Sequence, residues 1–168
     1  VIQYSSPYQN SNFEVFEIPL TISNVGARTG AVLAFDLEVT NPRRRETKRF
    51  YSAELGRWTM ANANSGNFRH FAPLALPGKS SMTESILFYA RRDEKVMQVA
   101  NEQGTYEFRI VMRTATPEDL GILDRLWSRP PAPVSFVMEM PEIDHRVFQE
   151  GTIPLNAEDW QPSQGGGP

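Results

Sequence analysis

Apolar and polar residues alternate along most of this chain, and the clearest alternation runs from Phe16 to Thr40, FEIPLTISNVGARTGAVLAFDLEVT. Phe16, Ile18, Leu20 and Ile22 fall on one face of a strand, and Leu33, Phe35, Leu37 and Val39 on one face of the next, because strand side chains point alternately to two sides. Pro19 cannot donate to a ladder, so the first of these strands, Phe13 to Ser23, is expected at an edge or a bulge. Asn24, Gly26 and Gly30 let the chain turn sharply. The seven residues from Asn24 to Gly30 are long for a tight hairpin and suit a crossing between two sheets.

Five further stretches follow the same rule. Val1 to Tyr4 predicts a short first strand, and Phe50 to Leu55 a weaker one. Ser80 to Ala90 places Met82, Ile86 and Phe88 together, and the strand opened by Gly104 places Tyr106, Phe108, Ile110 and Met112 together. Val134 to Met140 has its even positions apolar. Between these lie a loop rich in Asn, Gly, Ser and Pro from Gly56 to Lys79, whose aromatic residues are expected to pin it to the fold, and two stretches with helical signals. Val96, Val99 and Ala100 at helical spacing predict a short helix ending at Gly104. Thr116, Pro117 and Asp119 form a helix start, with Leu120, Leu123 and Trp127 as a narrow apolar stripe. About seven short strands without strand–helix alternation predict an all-β fold, an antiparallel β-sandwich with two short helical insertions. Residues 1–141 form the sandwich in this reading, and 142–168 a polar C-terminal extension.

Composition narrows the partners. A net charge of −3 and a pI near 5.5 lack the basic footprint of a nucleic-acid binder. The same balance disfavours binding to a membrane surface, and no apolar run approaches the ~20 residues that span a bilayer. The chain has no cysteine, which excludes disulfides and thiolate metal sites but leaves the compartment open. The chain opens at Val1, which raises the expectation of a signal or anchor upstream.

The chemistry-bearing clusters are few. Arg43, Arg44, Arg45, Lys48 and Arg49 could hold an anion, although a charge run at a turn more often keeps a loop soluble. The two histidines, His70 and His145, have no metal-ligand spacing, and no nucleophile elbow is present. Glu142 and Asp144 read as a solvated strand end, and the glycine-rich tail lacks phosphate-loop spacing. No cofactor, metal or catalytic group is expected.

Two segments carry a resemblance. Ala100 to Phe108, ANEQGTYEF, resembles the entry to strand F of immunoglobulin-like domains, with Tyr106 as the corner tyrosine, Phe108 where antibody domains have a cysteine, and Phe35 in place of the central tryptophan. Leu20, Ile22, Ser23, Asn24, Gly26, Gly30 and Val32 are similar to the LxISNxGxxxGxV pattern of bacterial extracytoplasmic immunoglobulin-like modules of the cell-adhesion-related type. The resemblance implies a non-catalytic structural or recognition module of an exported or membrane-anchored bacterial protein, periplasmic or at the cell surface, with a protein or glycan partner. The stripe Leu120, Leu123 and Trp127 is the candidate partner surface, if it does not pack on its own domain. Two alternatives stay open: a carbohydrate-binding module using Trp58, Trp127 and Trp160, and a hydrolase using His70 or His145.

Overall fold

Each alternating stretch becomes a strand with most of its apolar parity facing inward, and together they form an all-β, antiparallel fold. The structure is a computed structural model of the 168-residue chain that describes residues 2–5, 13–57, 67–91, 93–96, 98–115, 131–142, 152–153 and 160–162. Its strands are β1 (Ile2–Ser5), β2 (Phe13–Asn24), β3 (Gly30–Asn41), β4 (Glu46–Arg57), β5 (Asn67–His70), β6 (Leu74–Leu76), β7 (Ser80–Ala90), β8 (Gly104–Thr114), β9 (Val134–Met140), β10 (Thr152–Ile153) and β11 (Trp160–Pro162). They are joined in one 11-stranded sheet, ordered β10-β1-β2-β7-β4-β3-β8-β9-β11, with β5 added to β4 and β6 to β3.

That sheet is curled into a half-barrel, and two distances require it. β2 and β8 lie four steps apart in the order, which is ~19 Å in a flat sheet. Yet the inward rings of Phe16 and Phe108 meet edge-to-face at 5.6 Å between centroids. Likewise, β10 and β11 are eight steps apart, ~38 Å when flat. Only six residues, 154–159, join them, a reach of at most ~25 Å. The sheet's two edges therefore approach one another, and the C-terminal extension reaches both instead of standing apart as a tail.

The inner face buries Phe16, Ile22, Phe35, Leu37, Val39, Phe50, Leu55, Ile86, Phe88, Tyr106, Phe108 and Ile110. Each large aliphatic or Phe side chain so buried contributes roughly 1.5–3 kcal/mol. Pro19 pairs with Ser85 of β7 on one side and, among the described residues, lies past the stretch of β2 that β1 covers, Phe13 to Phe16, an edge position as expected.

Three expectations need correction. First, a register shift between Val32 and Ala34 inserts a bulge into β3. It flips the parity, so Val32 is buried and Leu33 is 45% exposed. Second, β4 is 12 residues long, and the sheet has eleven strands among the described residues and not seven, since the C-terminal extension adds β10 and β11 and the loop after β4 contains β5 and β6. These two short strands fill the gap where β3 and β4 diverge, with Phe71 edge-to-face on Phe35 at 5.9 Å and the Phe71 N–H donating to Ala53 O at 2.8 Å. Third, the helix expected before Gly104 is replaced, among the described residues of 91–103, by turns and bends. Val99 and Ala100 bury themselves by plugging the curl and not by lying on a helix face. The second expected helix, after Thr116, lies outside the described residues.

Candidate functional site

The two ends of the curl carry different loops. At one end lie the β3–β4 turn and the segment 91–103, and at the other the β2–β3 loop, the β5–β6 unit and the end of β8. The first end concentrates the buried charge. Glu14 and Lys48 occupy inward positions, in parity with Phe16 and Phe50, and are only 1% and 2% exposed. Lys48 Nζ donates to Glu14 Oε2 at 3.1 Å and stands 5.2 Å from the centroid of the Phe50 ring. Glu14 also accepts the backbone N–H groups of Val99, at 3.2 Å on Oε2, and Ala100, at 2.9 Å on Oε1. A carboxylate taken from water needs such donors to offset its desolvation. The interaction fastens segment 98–102 across the mouth of the curl.

Asn41 completes this closure. Its Oδ1 accepts the N–H groups of Arg43 and Arg44 at 3.0 and 3.2 Å, which shapes the turn. Its Nδ2 donates to Glu102 Oε1 at 2.8 Å. Tyr106 donates its hydroxyl to Glu102 O at 2.7 Å and accepts from Glu102 N at 3.3 Å. Burial pushes this phenol above its ordinary value. Gly104, at φ 149°, opens β8 in a conformation that side-chain-bearing residues rarely adopt. Beside these residues lies an open cleft of about 370 Å³ lined by Asn41, Arg43, Glu102, Gly104, Tyr106 and Glu139, which offers one guanidinium and two carboxylates to a polar ligand.

The basic cluster expected to bind an anion is not brought together as one patch. Lys48 is inside with Glu14. Arg44 bridges Glu46 at 3.2 Å and Glu102 at 3.3 Å and donates to the carbonyls of Gln98 and Val99. Arg49 faces outward and pairs with Glu94 at 2.9 Å. Arg43 and Arg45 lie exposed on the turn. The outer face continues this pairing, with Asp36 between Arg91 at 2.6 Å and Arg113 at 2.8 Å and Glu38 with Arg109 at 2.7 Å.

His70 is at the opposite end, exposed on β5 and directly across from Glu54. Glu54 accepts the Tyr89 hydroxyl at 3.3 Å, and Tyr89 meets Tyr51 edge-to-face at 6.5 Å. Two rings crossed at 72° do not make the flat platform on which sugars stack. His145, Asp144, Trp58, Leu120, Leu123 and Trp127 lie outside the described residues, and Glu142 is exposed. Trp160 lies on β11 across from Met138.

Glu14 is the residue that sequence reasoning missed. The signal was present, because a carboxylate on the parity of Phe16 and Ile18 is an inward charge, and Lys48 shares the parity of Phe50. Compared with known proteins, the chain matches no family model, no curated protein and no solved structure.

Proposed function

We propose that this chain is an immunoglobulin-like, non-catalytic recognition or structural module of an exported or membrane-anchored bacterial protein. The observation that carries the fold reading is the strand order. If β1, β2, β3, β4, β7, β8 and β9 are lettered A to G, the sheet reads A-B-E-D and then C-F-G, the order of an immunoglobulin sandwich, with β5 and β6 as an insertion between D and E. The bond from the Tyr106 hydroxyl to the backbone four residues upstream supports it, being the bond of a tyrosine corner. So does the Phe16–Phe108 contact, an apolar bridge between strands B and F. The exported, bacterial part of the reading is supported by the LxISNxGxxxGxV pattern of residues 20–32. A gene with neither a signal peptide nor a membrane-spanning segment would overturn that part.

Recognition in such modules sits in end loops, because the sheets are consumed by the core. The end bearing the β2–β3 loop favours this role. Val25 is 91% exposed there on a loop held rigid by Asn24, which accepts from Gly26 N at 3.0 Å and donates to Arg28 O at 2.8 Å and Leu76 O at 2.9 Å. The connection holding Leu120, Leu123 and Trp127 leaves the sheet at the same end, where Ala115 N donates to Ala31 O at 2.9 Å. Pull-down from the parent protein's environment tests the reading with the variants Val25→Asp and Trp127→Asp. Loss of partner capture with unchanged thermal stability is expected. Capture that survives both variants would remove this end as the recognition surface, and a hydrolytic activity abolished by replacing His70 and His145 would overturn the non-catalytic reading.

A further inference from the structure

Among the described residues, the long edge of the sheet at β9 is covered over three positions. β9 is seven residues long, but β11 covers it only at Phe136, Val137 and Met138, paired with Pro162, Gln161 and Trp160. Among the described residues, Val134, Ser135, Glu139 and Met140 have no ladder partner on that side, and Val134 is 60% exposed. Pro162 has no N–H to give to the ladder. The other end of the same segment is held by two pairs, Ile2 with Ile153 and Gln3 with Thr152, whereas β2 and β7 share ten. The β9 sequence VSFVMEM is rich in strand formers, carries one charge and contains no proline, which is the composition of a strand that readily adds another.

We propose that the β9 edge is a strand-accepting site whose resident ligand is the chain's own Trp160–Pro162 segment, and that its partner in trans is the same segment of a second copy of this chain. Complementarity is already present, since the segment fits β9 in cis. The six residues 154–159 reach at most ~25 Å, so a copy that keeps β10 on its own β1 can deliver β11 only to a neighbour docked edge to edge. The exchange conserves every ladder bond, so the cis and trans forms differ mainly through effective concentration. A short linker sets this in the mM range.

Two measurements test it. A chain ending at Asp159 is titrated with a labelled peptide of residues 157–168 and compared with the full-length chain. The shortened chain should bind saturably, and the full-length chain ~10–100-fold more weakly, because its site is occupied for most of the time. A Gln161→Pro peptide should not bind. Full-length chain refolded at about 1 mM should then yield a dimer that refolding at about 1 µM does not, and the shortened chain should yield none at either concentration. A folded shortened chain that ignores the peptide overturns the proposal. Peptide binding by a full-length chain that stays monomeric at both concentrations overturns the second-copy assignment. If the shortened chain does not fold, Gln161→Pro in the full-length chain replaces it. That variant must then bind the wild-type peptide better than the parent does, and failure to do so overturns the proposal equally.

Discussion

The two ends of the curled sheet are closed by different physics. At the end of Glu14 and Lys48 the closure is ionic and long-range: Glu14 joins partners 34 and 86 residues away, at Lys48 and Ala100. At the end of Asn24 and Phe71 it is uncharged and largely steric, made by a short side-chain-shaped loop, two small strands and an aromatic wedge, with Asn24 reaching Leu76, 52 residues away. Polar closure fixes geometry through direction, because each Glu14 oxygen has assigned donors. Steric closure fixes it through shape. The ionic end is therefore the one most sensitive to a single atom, and the steric end leaves its loops available for the recognition role proposed above.

Breaking the ionic end should have the largest effect. Glu14→Ala removes the carboxylate that faces a buried ammonium and two backbone N–H groups, an expected loss of ~3–5 kcal/mol, readable as a lower urea midpoint. The double variant Glu14→Gln, Lys48→Met removes both charges and keeps one acceptor oxygen for the two N–H groups of Val99 and Ala100. It should recover more than half of that loss, because buried pairs are costly to break and not costly to replace. A double variant as unstable as Glu14→Ala would mean that the charges themselves, and not their desolvation, hold the end together.

The steric end breaks more gently. A Cβ on Gly78 would come 2.3 Å from Ala27 O, so Gly78→Ala must push the 77–79 turn off the β2–β3 loop and break the bond from Lys79 N to Gly26 O, now 2.9 Å. Overpacking of this kind costs ~1–3 kcal/mol. Amide exchange should rise at Lys79 and Gly26 and stay unchanged at Val99 and Ala100. Faster exchange at both ends would deny that they are independent.

This contrast also explains what the sequence made legible. Strand alternation is a local signal, so β2, β7 and β8 could be read directly, as could the turn chemistry of Asn24 and Gly26. The bulge at Leu33 could not, because one unpaired residue leaves no compositional trace while inverting every position on one side of it. The helix-like trio of partly buried Val96 and buried Val99 and Ala100 misled for a related reason: spacing reports that residues pack on the same core, not that a helix carries them. The charged end was half-visible, since parity marked Glu14 and Lys48 as inward, but their pairing depended on the curl. The run from Arg43 to Arg49 offers an anion site beside the more ordinary reading of a soluble turn, because neighbours in sequence need not be neighbours in space. On a strand, Lys48 and Arg49 point to opposite faces.

A finer test at the ionic end is Tyr106→Phe. It removes only the hydroxyl that joins the Glu102 carbonyl and N–H and leaves the ring in the core. The expected cost is ~1 kcal/mol, seen as a small fall in thermal midpoint, with the 98–102 segment exchanging faster while β8 stays protected. No change at that segment would assign its position to Glu14, Asn41 and Arg44 without the phenol.

The smallest effect separates the two faces of one strand. Glu17 lies three residues after Glu14 and points outward, across from Leu87. Burial, only partly opposed by a hydrogen bond with Ser85, raises its pKa above the ordinary 4.5. At low pH the carboxyl is neutral in both the folded and the unfolded chain, and burial costs it little. As the pH rises through 4.5, the unfolded chain ionises first and binds fewer protons than the folded one, so stability falls until the pH passes the raised folded value. The sign is opposite to that of a salt-bridged carboxylate, whose contribution is lost as pH falls. Glu17→Gln should therefore match the parent near about pH 3.5 and exceed it near about pH 7, as read from urea midpoints at the two values. An advantage that does not grow across that range would mean that the outer face around Leu87 is open to water, and that only the inner face of β2 places a carboxylate under strain.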